Sequence, residues 1–346
     1  MYTIKYLIAL TIICIAISCQ KGNDLNLQPD ISAGMPGKNL IDMELDNNNV
    51  FYFVTMEVDT SIEIPPWSST LPAKFYLSQK KSENGEFKIL DDDFVHADEI
   101  LIDKNNNLWS RNAKEIFLRK DQNNITVIEL PGNLGLFKFM AVDKDNNIWA
   151  GGLNTGIYKI DSELNIAHFN MENSDLPRNS MTNIHIDRYN NIWIALWDNQ
   201  GVLKINGENW TVYNSTNSNI TSQNIWCLVT DKNDELWIGT GHDNKAITLM
   251  KFNSQNWIVS NPENNTEIVP GTVRKLYSDK KRIYIVSEQV KNMDFDKNVL
   301  LTFDGVSWNK IDEIPEDDGI ADVKLDYSRN VSWIRTLNKG IFKIPL

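Results

Sequence analysis

The amino-acid sequence predicts an all-β fold, a single seven-bladed β-propeller with four-stranded antiparallel blades. Two observations predict it. A short motif that joins an aspartate to an aromatic residue occurs seven times in the 346 residues, at intervals of 40 to 57 residues. Between its copies, short apolar runs alternate with turn residues and show no helical period. A repeat of this length with four short strands is typical of a propeller blade.

The motif is clearest in "DKDNNIW", where Asp143 lies six residues before Trp149. Four consecutive copies keep this offset, and in the weaker copies it slips by one residue. An aromatic residue at a fixed position of every unit is expected to pack between neighbouring blades, where large side chains fill the interface. The seven aromatic positions are Tyr52, Trp109, Trp149, Trp193, Trp237, Tyr284 and Trp333.

The unit around Trp193 shows the expected order of strands. "NIHID" and "IWIAL" are short strands joined by the turn "RYNN", and "GVLKI" and "WTVYN" follow around the turn "NGEN". The last unit ends 13 residues after Trp333, so we expect it to lack its fourth strand. Residues just before Ile41 could supply that strand, but "PDISAGMPG" is a poor strand sequence, and the sequence leaves this question open.

The segment "DKDNN" has two interpretations. Asp143, Asp145 and Asn147 offer oxygen atoms at the alternating spacing of a calcium loop. However, the segment lacks the glycine and the distal glutamate of an EF-hand, and other copies carry Lys281 or Arg329 in this turn. Asparagine and aspartate also favour tight hairpin turns. We therefore predict a structural turn and no metal site.

The pattern "D-x-x-N-N-I-W-I/A-x-x … G-I/V-Y/L-K-I" resembles the two-component regulator propeller repeat. The resemblance covers most of residues 40–346 and is most specific in the central units. It implies a relation to the periplasmic sensor portions of hybrid two-component systems in gut Bacteroides-type bacteria. The chain stops at Leu346 without a kinase or DNA-binding portion. We therefore expect only a recognition or scaffold role to carry over from that family.

The N-terminus predicts an exported lipoprotein. The apolar run "YLIALTIICIAIS" has the length of a signal-peptide core, and "AISC" ends at Cys19. This ending resembles a bacterial lipobox, which would make Cys19 the site of lipidation; the alternative is an ordinary secretory signal. The predicted domains are a signal peptide at 1–18, the lipidated cysteine with a linker at 19–37, and the propeller at 38–346. We expect the chain in a Gram-negative cell envelope, attached to the outer membrane only through its lipid.

Composition narrows the range of partners. The formal net charge is −12, and an acidic surface argues against nucleic acid and anionic lipid headgroups. Cys227 would be the one cysteine left unmodified after export, which excludes a disulfide within the chain. Its apolar neighbours, "IWCLV", predict a buried structural thiol. The sequence contains no glycine-rich phosphate loop and no metal-ligand spacing, so no cofactor is expected.

A ligand is expected at one end of the propeller channel, on the segments that enter first strands and leave second strands. Trp197 and Trp226 lie there but off the register of the repeated aromatic residues, so blade packing does not account for them. Aromatic faces flanked by charges and amides suit sugar rings; the alternative is that both tryptophans only fill the channel mouth. The predicted rim residues are Trp197, Trp226, Arg274, His242, Asp243, Arg111, Lys138, Glu288 and Arg335.

Two insertions lengthen the repeat on the same side as this rim, at 59–73 and 288–298. Long loops on a rigid scaffold often carry function. Trp67, beside Pro65 and Pro66, is the residue predicted to contact a partner.

Three functions remain open at this point. The favoured one is a non-enzymatic recognition lipoprotein that binds a glycan or an envelope protein, and the family resemblance favours a glycan. The second is a scaffold subunit of an outer-membrane complex. The third is a glycoside hydrolase or lyase that uses carboxylates across the channel. The four histidines occupy unrelated positions of their units, so no catalytic residue is assigned.

Overall fold

The computed structural model confirms the predicted all-β, seven-bladed propeller. Seven β-sheets follow one another along the chain, and consecutive strands within each sheet pair antiparallel. Six sheets have four strands and the last has three. The structure describes residues 31–32, 34–37, 39–58, 73–94, 97–121, 124–132, 135–220, 224–241, 248–253, 256–260, 271–279, 281–291, 294–311, 314, 319–337 and 339–346.

The blades are numbered one to seven in chain order. Blades one to four contain β1 (Asn39–Leu45), β2 (Phe51–Val58), β3 (Ala73–Lys80), β4 (Lys88–Asp91), β5 (Glu99–Ile102), β6 (Leu108–Arg111), β7 (Ile116–Arg119), β8 (Ile125–Ile128), β9 (Leu136–Val142), β10 (Ile148–Leu153), β11 (Ile157–Ile160), β12 (Ile166–Phe169), β13 (Met181–Ile186), β14 (Ile192–Leu196), β15 (Gly201–Asn206) and β16 (Asn209–Tyr213). Blades five to seven contain β17 (Ile225–Thr230), β18 (Leu236–Thr240), β19 (Thr248–Phe252), β20 (Trp257–Ser260), β21 (Gly271–Ser278), β22 (Ile283–Lys291), β23 (Asp294–Phe303), β24 (Trp308–Lys310), β25 (Ile320–Asp326), β26 (Val331–Thr336) and β27 (Ile341–Pro345).

The repeated aromatic residues pack between blades, as predicted. Trp149 of blade three is buried against Ile184 and Ile192 of blade four. The cross-strand partner Lys159 lies over the ring, with Nζ 5.6 Å from its centroid. Large aromatic side chains dominate packing of this kind, and it accounts for five of the eleven tryptophans. The other repeat tryptophans are buried in the same manner, namely Trp109, Trp193, Trp237 and Trp333.

The segment "DKDNN" is a hairpin turn organised by one buried carboxylate. Oδ1 of Asp143 accepts hydrogen bonds from the N–H groups of Asp145 (2.9 Å) and Asn147 (2.8 Å). Its Oδ2 accepts hydrogen bonds from Asn147 Nδ2 (2.7 Å) and Trp149 Nε1 (2.9 Å). Asn146 adopts φ of 65°, which asparagine tolerates better than most residues. The structural interpretation of the turn is confirmed, because both oxygen atoms of Asp143 accept hydrogen bonds from the turn and from the strand that follows it.

The same turns also connect neighbouring blades, which the sequence did not reveal. The Asn146 side-chain oxygen accepts a hydrogen bond from the N–H of Lys104 in blade two (2.8 Å). Asn190 in blade four accepts one from Lys144 in blade three (2.9 Å). The asparagine with positive φ therefore both forms the turn and links it to the previous blade.

Blade seven has three strands, as expected, and side chains join it to blade one. Trp333 meets the edge of Phe51 at a centroid distance of 5.3 Å. The Lys324 ammonium lies 2.8 Å from Glu44. The described positions between 31 and 37 form turns and bends, so they do not supply the missing fourth strand. Within the described residues, the ring therefore closes through side-chain packing and ion pairs.

The second insertion differs from the prediction of a loop. β22 and β23 remain paired up to Lys291 and Asp294, so most of 288–298 extends a hairpin of blade six. Residues 59–72, with Trp67, lie outside the described residues, as does Cys19. Among the residues that the structure describes, no helix has the length and apolar character needed to cross a membrane.

Candidate ligand site at the channel mouth

The first strand of each blade lines a central channel. A cavity of about 1000 Å³ lies inside the ring and is bounded by β1, β5, β9, β13, β17, β21 and β25, together with the ends of several second strands. We call the end where first strands begin and second strands end the channel mouth. Ligand pockets are often of this size and lie at such openings.

A β-bulge marks the start of six of the seven first strands. In each, the register with the second strand slips by one residue, whereas β5 pairs regularly. A bulge leaves one extra residue unpaired and re-aims its side chain, and bulges are common beside functional sites. The six bulged residues are Ile41, Lys138, Thr182, Trp226, Arg274 and Ala321.

Four predicted rim residues come together at the mouth of blades four to six. The ring of Trp197 meets that of Trp226 edge to face, with centroids 5.6 Å apart. The guanidinium carbon of Arg274 lies 4.9 Å from the centroid of Trp226, a cation–π distance. Glu288 forms an ion pair with Arg274. We call Trp197, Trp226 and Arg274 the aromatic platform.

The platform is held in place by the backbone around it. Trp226 Nε1 donates a hydrogen bond to the Gly241 carbonyl (2.9 Å). The Trp197 N–H donates to the Ser180 carbonyl (3.0 Å). Trp197 follows β14 directly and is 39% exposed. An exposed tryptophan beside a fixed one leaves an aromatic surface open to the mouth.

Arg111 joins blades two and three rather than facing solvent. It pairs with Glu99 (2.6 Å) and donates to the carbonyls of Phe137 (3.3 Å) and Lys138 (2.6 Å). It is buried, with 7% exposure. The neighbouring Lys138 is exposed at the mouth. Of these two predicted rim cations, Lys138 is the one that a ligand can reach.

Arg335 occupies the junction of blades seven and one. Its Nη1 donates to the Leu40 carbonyl (3.0 Å), while its Nε is buried without a partner in the described structure. His242 and Asp243, also predicted for the rim, lie outside the described residues. The aromatic platform, Lys138 and Arg335 therefore all lie at the mouth, and they belong to five different blades.

The carboxylates of the channel wall are all engaged by other protein groups. Asp42 accepts the N–H of Ile100 (2.8 Å), and Asp98 lies 3.7 Å from Arg111. The remaining ones are Glu44 with Lys324, Glu99 with Arg111 and the N–H of Met140, and Asp322 with Lys275 and the Tyr277 hydroxyl.

Two of these carboxylates have opposite pKa shifts. Burial raises the pKa of Glu99, although the charge of Arg111 opposes the effect. For Asp322, burial acts in the same direction, but the charges of Lys275, Lys324 and Arg335 outweigh it and hold the pKa below its ordinary value. Opposed shifts are one mark of acid–base pairs. Here the carboxyl group of Glu99 pairs with Arg111 and that of Asp322 pairs with Lys275, so neither is free to act as an acid or a base.

One histidine lies in the channel wall, which the spacing of the four histidines did not indicate. His185 Nε2 accepts a hydrogen bond from the N–H of Thr230 in blade five (3.1 Å). Burial lowers the pKa of His185 to about 4, and the nearby Asp187 opposes this only partly. The ring is therefore neutral and links two blades. Among the described residues, no group of three or more His, Cys, Asp and Glu is arranged to hold a metal ion.

Comparison with known proteins agrees with the repeat identified in the sequence. Residues 219–242 match the two component regulator propeller family. A search of curated proteins finds no sequence relative of this chain.

Solved structures share the fold at low identity. Virginiamycin B lyase from Staphylococcus aureus is 13% identical, with a TM-score of 0.65 over 92% of this chain and 99% of its own. The extracellular domain of a protein described as a one component system from B. thetaiotaomicron is 14% identical, with a TM-score of 0.64. That match covers 94% of this chain and 42% of the other. YCF48 bound to D1 peptide is 14% identical, with a TM-score of 0.59 over 90% and 93% of the two chains. These similarities establish the fold alone, because the same fold occurs in a lyase, in the extracellular domain of a one component system and in a protein bound to a peptide.

Proposed function

We propose that this protein is a non-enzymatic recognition propeller that binds a glycan at the channel mouth. The observation that carries the proposal is the aromatic platform, in which Trp197 is exposed beside the fixed ring of Trp226 at the opening of a 1000 Å³ cavity. The repeat itself does not need these two tryptophans, since Trp193 and Trp237 already fill the blade interfaces.

The chemistry of the platform suits a sugar ring. A pyranose ring has an apolar face of C–H groups and an edge of hydroxyl groups. Tryptophan combines a large apolar face with little conformational freedom, so it provides contact area at low entropic cost. The Arg274–Glu288 pair beside it offers both donors and acceptors for hydroxyl groups. Asn183, which also lines the cavity, adds an amide.

Binding without catalysis is favoured by the state of the channel carboxylates. Glycoside hydrolysis in most families uses two carboxyl groups that flank the scissile bond, one as an acid and the other as a base or nucleophile. Asp42, Glu44, Asp98, Glu99 and Asp322 instead accept hydrogen bonds from the protein or form ion pairs with it.

We place the protein in the envelope of a Gram-negative bacterium, lipidated at Cys19 and attached to the outer membrane.

The test is a glycan array followed by titration calorimetry with the glycans that bind. Trp197→Ala is the informative variant, because Trp197 is 39% exposed and outside the blade cores. Loss of a central aromatic contact costs about 2 kcal/mol, so we expect roughly 30-fold weaker binding. Tyr189→Ala is the matched control, because Tyr189 is 62% exposed in a turn at the opposite end of the channel.

Two results would refute the proposal. One is the absence of binding to any glycan on the array. The other is equal binding by wild type and Trp197→Ala. If instead an envelope protein competes for the same face in a pull-down from native membranes, the scaffold function replaces glycan recognition. Release of a shortened product from any bound glycan would restore the enzymatic alternative.

A further inference from the structure

The channel differs in charge from the rest of the molecule. The chain carries a formal charge of −12, whereas the described charges around the cavity are close to balance. Six basic side chains line it against five acidic ones, and Glu288 pairs with Arg274 beside it. The basic residues are Arg111, Lys138, Arg274, Lys275, Lys324 and Arg335, and the acidic ones are Asp42, Glu44, Asp98, Glu99 and Asp322.

The acidic and basic groups also differ in how far the protein satisfies them. All five acids have partners within the protein, as described above. Lys138, by contrast, is exposed, and the structure gives its side chain no hydrogen bond or ion pair within the described residues. Arg335 has no carboxylate within ion-pair distance in that part of the chain and its Nε has no hydrogen-bond partner, although its charge acts on the cross-strand neighbour Asp322. Among the described residues, the charges at the mouth that form no ion pair are therefore positive.

The two cations lie on either side of the aromatic platform along the ring. Lys138 belongs to blade three, and the platform follows at blades four, five and six. Arg335 comes next, on blade seven. Arg274 is different, because Glu288 neutralises it and Trp226 stacks on it. The order around the mouth is thus cation, aromatic surface, cation.

We propose that the ligand of this mouth is an acidic glycan, whose anionic groups pair with Lys138 and Arg335 while a sugar ring stacks on the platform. The proposal rests on the glycan function proposed above and names its chemical class. The anionic group is a carboxylate of a uronic acid or a sulfate ester, both of which accept charge-assisted hydrogen bonds from ammonium and guanidinium groups. A neutral glycan would leave Lys138 without a counter-charge and gain only the stacking contact.

The experiment compares acidic polysaccharides with chemically neutralised versions of the same chains. Polygalacturonate is paired with its carboxyl-reduced form, and a sulfated galactan with its desulfated form, on one array and by calorimetry at low salt. We expect at least a tenfold loss of affinity on neutralisation. The carboxylate pair and the sulfate pair separate the two sources of anion. Binding of the acidic form should also weaken as salt is raised, because the pairing is electrostatic.

Lys138→Glu tests the residue. The Lys138 side chain is exposed and forms no hydrogen bond or ion pair in the described structure, and its backbone carbonyl, which accepts from Arg111, is unchanged by the replacement, so folding should be unaffected. Lys81→Glu makes the same change in charge in an exposed turn at the opposite end of the channel and serves as the control. We expect Lys138→Glu to lose binding of the acidic glycan by at least tenfold, and Lys81→Glu to retain it.

The outcomes separate this inference from the function on which it rests. Binding of neutral glycans only, or equal binding before and after neutralisation, would overturn the acidic ligand but keep glycan recognition. Equal affinities of Lys138→Glu and Lys81→Glu for the acidic form would also overturn it. No binding to any polysaccharide, acidic or neutral, would overturn both proposals.

Discussion

Replacing Asp143 by alanine removes the carboxylate that organises the turn of blade three. The side chain is 2% exposed and accepts four hydrogen bonds, two from turn N–H groups and two from the side chains of Asn147 and Trp149. After the replacement, Trp149 Nε1 stays in the interface between blades three and four without an acceptor. The variant therefore tests whether the aspartate of the repeat serves the structure of the blade.

The loss of stability follows from these four contacts. A hydrogen bond to a charged group contributes about 1.5–3 kcal/mol net, and a buried donor left unpaired costs about 1–3 kcal/mol. The four bonds share one carboxylate and are not additive. We therefore expect Asp143→Ala to lower the free energy of unfolding by about 3–5 kcal/mol.

Asp161 is a matched control within the same blade. It organises the turn between β11 and β12 by accepting from the N–H groups of Glu163 and Asn165 and from Asn165 Nδ2, but it binds no tryptophan. Urea unfolding followed by tryptophan fluorescence should show a much smaller effect for Asp161→Ala. Equal effects of the two variants would refute the structural role assigned to the Asp143–Trp149 bond. A rise of the wild-type midpoint with added calcium would refute the interpretation of "DKDNN" as a turn.

Two further predictions concern groups in the channel wall. Burial lowers the pKa of His185 from 6.5 to about 4, so the folded state prefers the neutral ring that accepts the N–H of Thr230. The neutral ring contributes up to about 3 kcal/mol to the free energy of unfolding; this contribution should be complete above pH 6.5 and be lost as pH falls towards 4. The same pH dependence of the urea midpoint in wild type and His185→Gln would contradict this. Burial raises the pKa of the Cys227 thiol, which is 2% exposed and lies 3.7 Å from the Val273 carbonyl. A thiol reagent should therefore label Cys227 only after unfolding in urea. Rapid labelling of the native protein would show that the thiol is accessible.

Most of the fold followed from the sequence because its signals are local. The Asp143-to-Trp149 spacing encodes a turn, and the turn pairs two neighbouring strands. The one clear difference from expectation came at 288–298, where an insertion in the repeat was interpreted as a loop. Its residues continue the pairing of β22 and β23 instead, and the count of residues between aromatic positions cannot distinguish a longer hairpin from a longer loop.

The candidate site followed only in part. The off-register positions of Trp197 and Trp226 indicated the platform, and the structure places the two rings in contact. The same reasoning gave Arg111 and Lys138 equal weight, yet Arg111 is buried as a link between blades. The bulges that re-aim Trp226 and Lys138 left no signal in the spacing, because the extra residue of a bulge looks like any other strand residue.

The sequence by itself determined the repeat, the number of blades and the aromatic residues between them, because each of these depends on residues close together in one unit. The tertiary structure decided which charged side chains form ion pairs within the protein and which do not. Glu44 meets Lys324, its partner 280 residues away, only when the ring closes, and Arg335 reaches the Leu40 carbonyl across the same junction. Among the described residues, the Lys138 side chain has no hydrogen-bond or ion-pair partner at the mouth of the channel. The charges that a ligand would meet at the mouth therefore depend on how the seven blades pack around one axis.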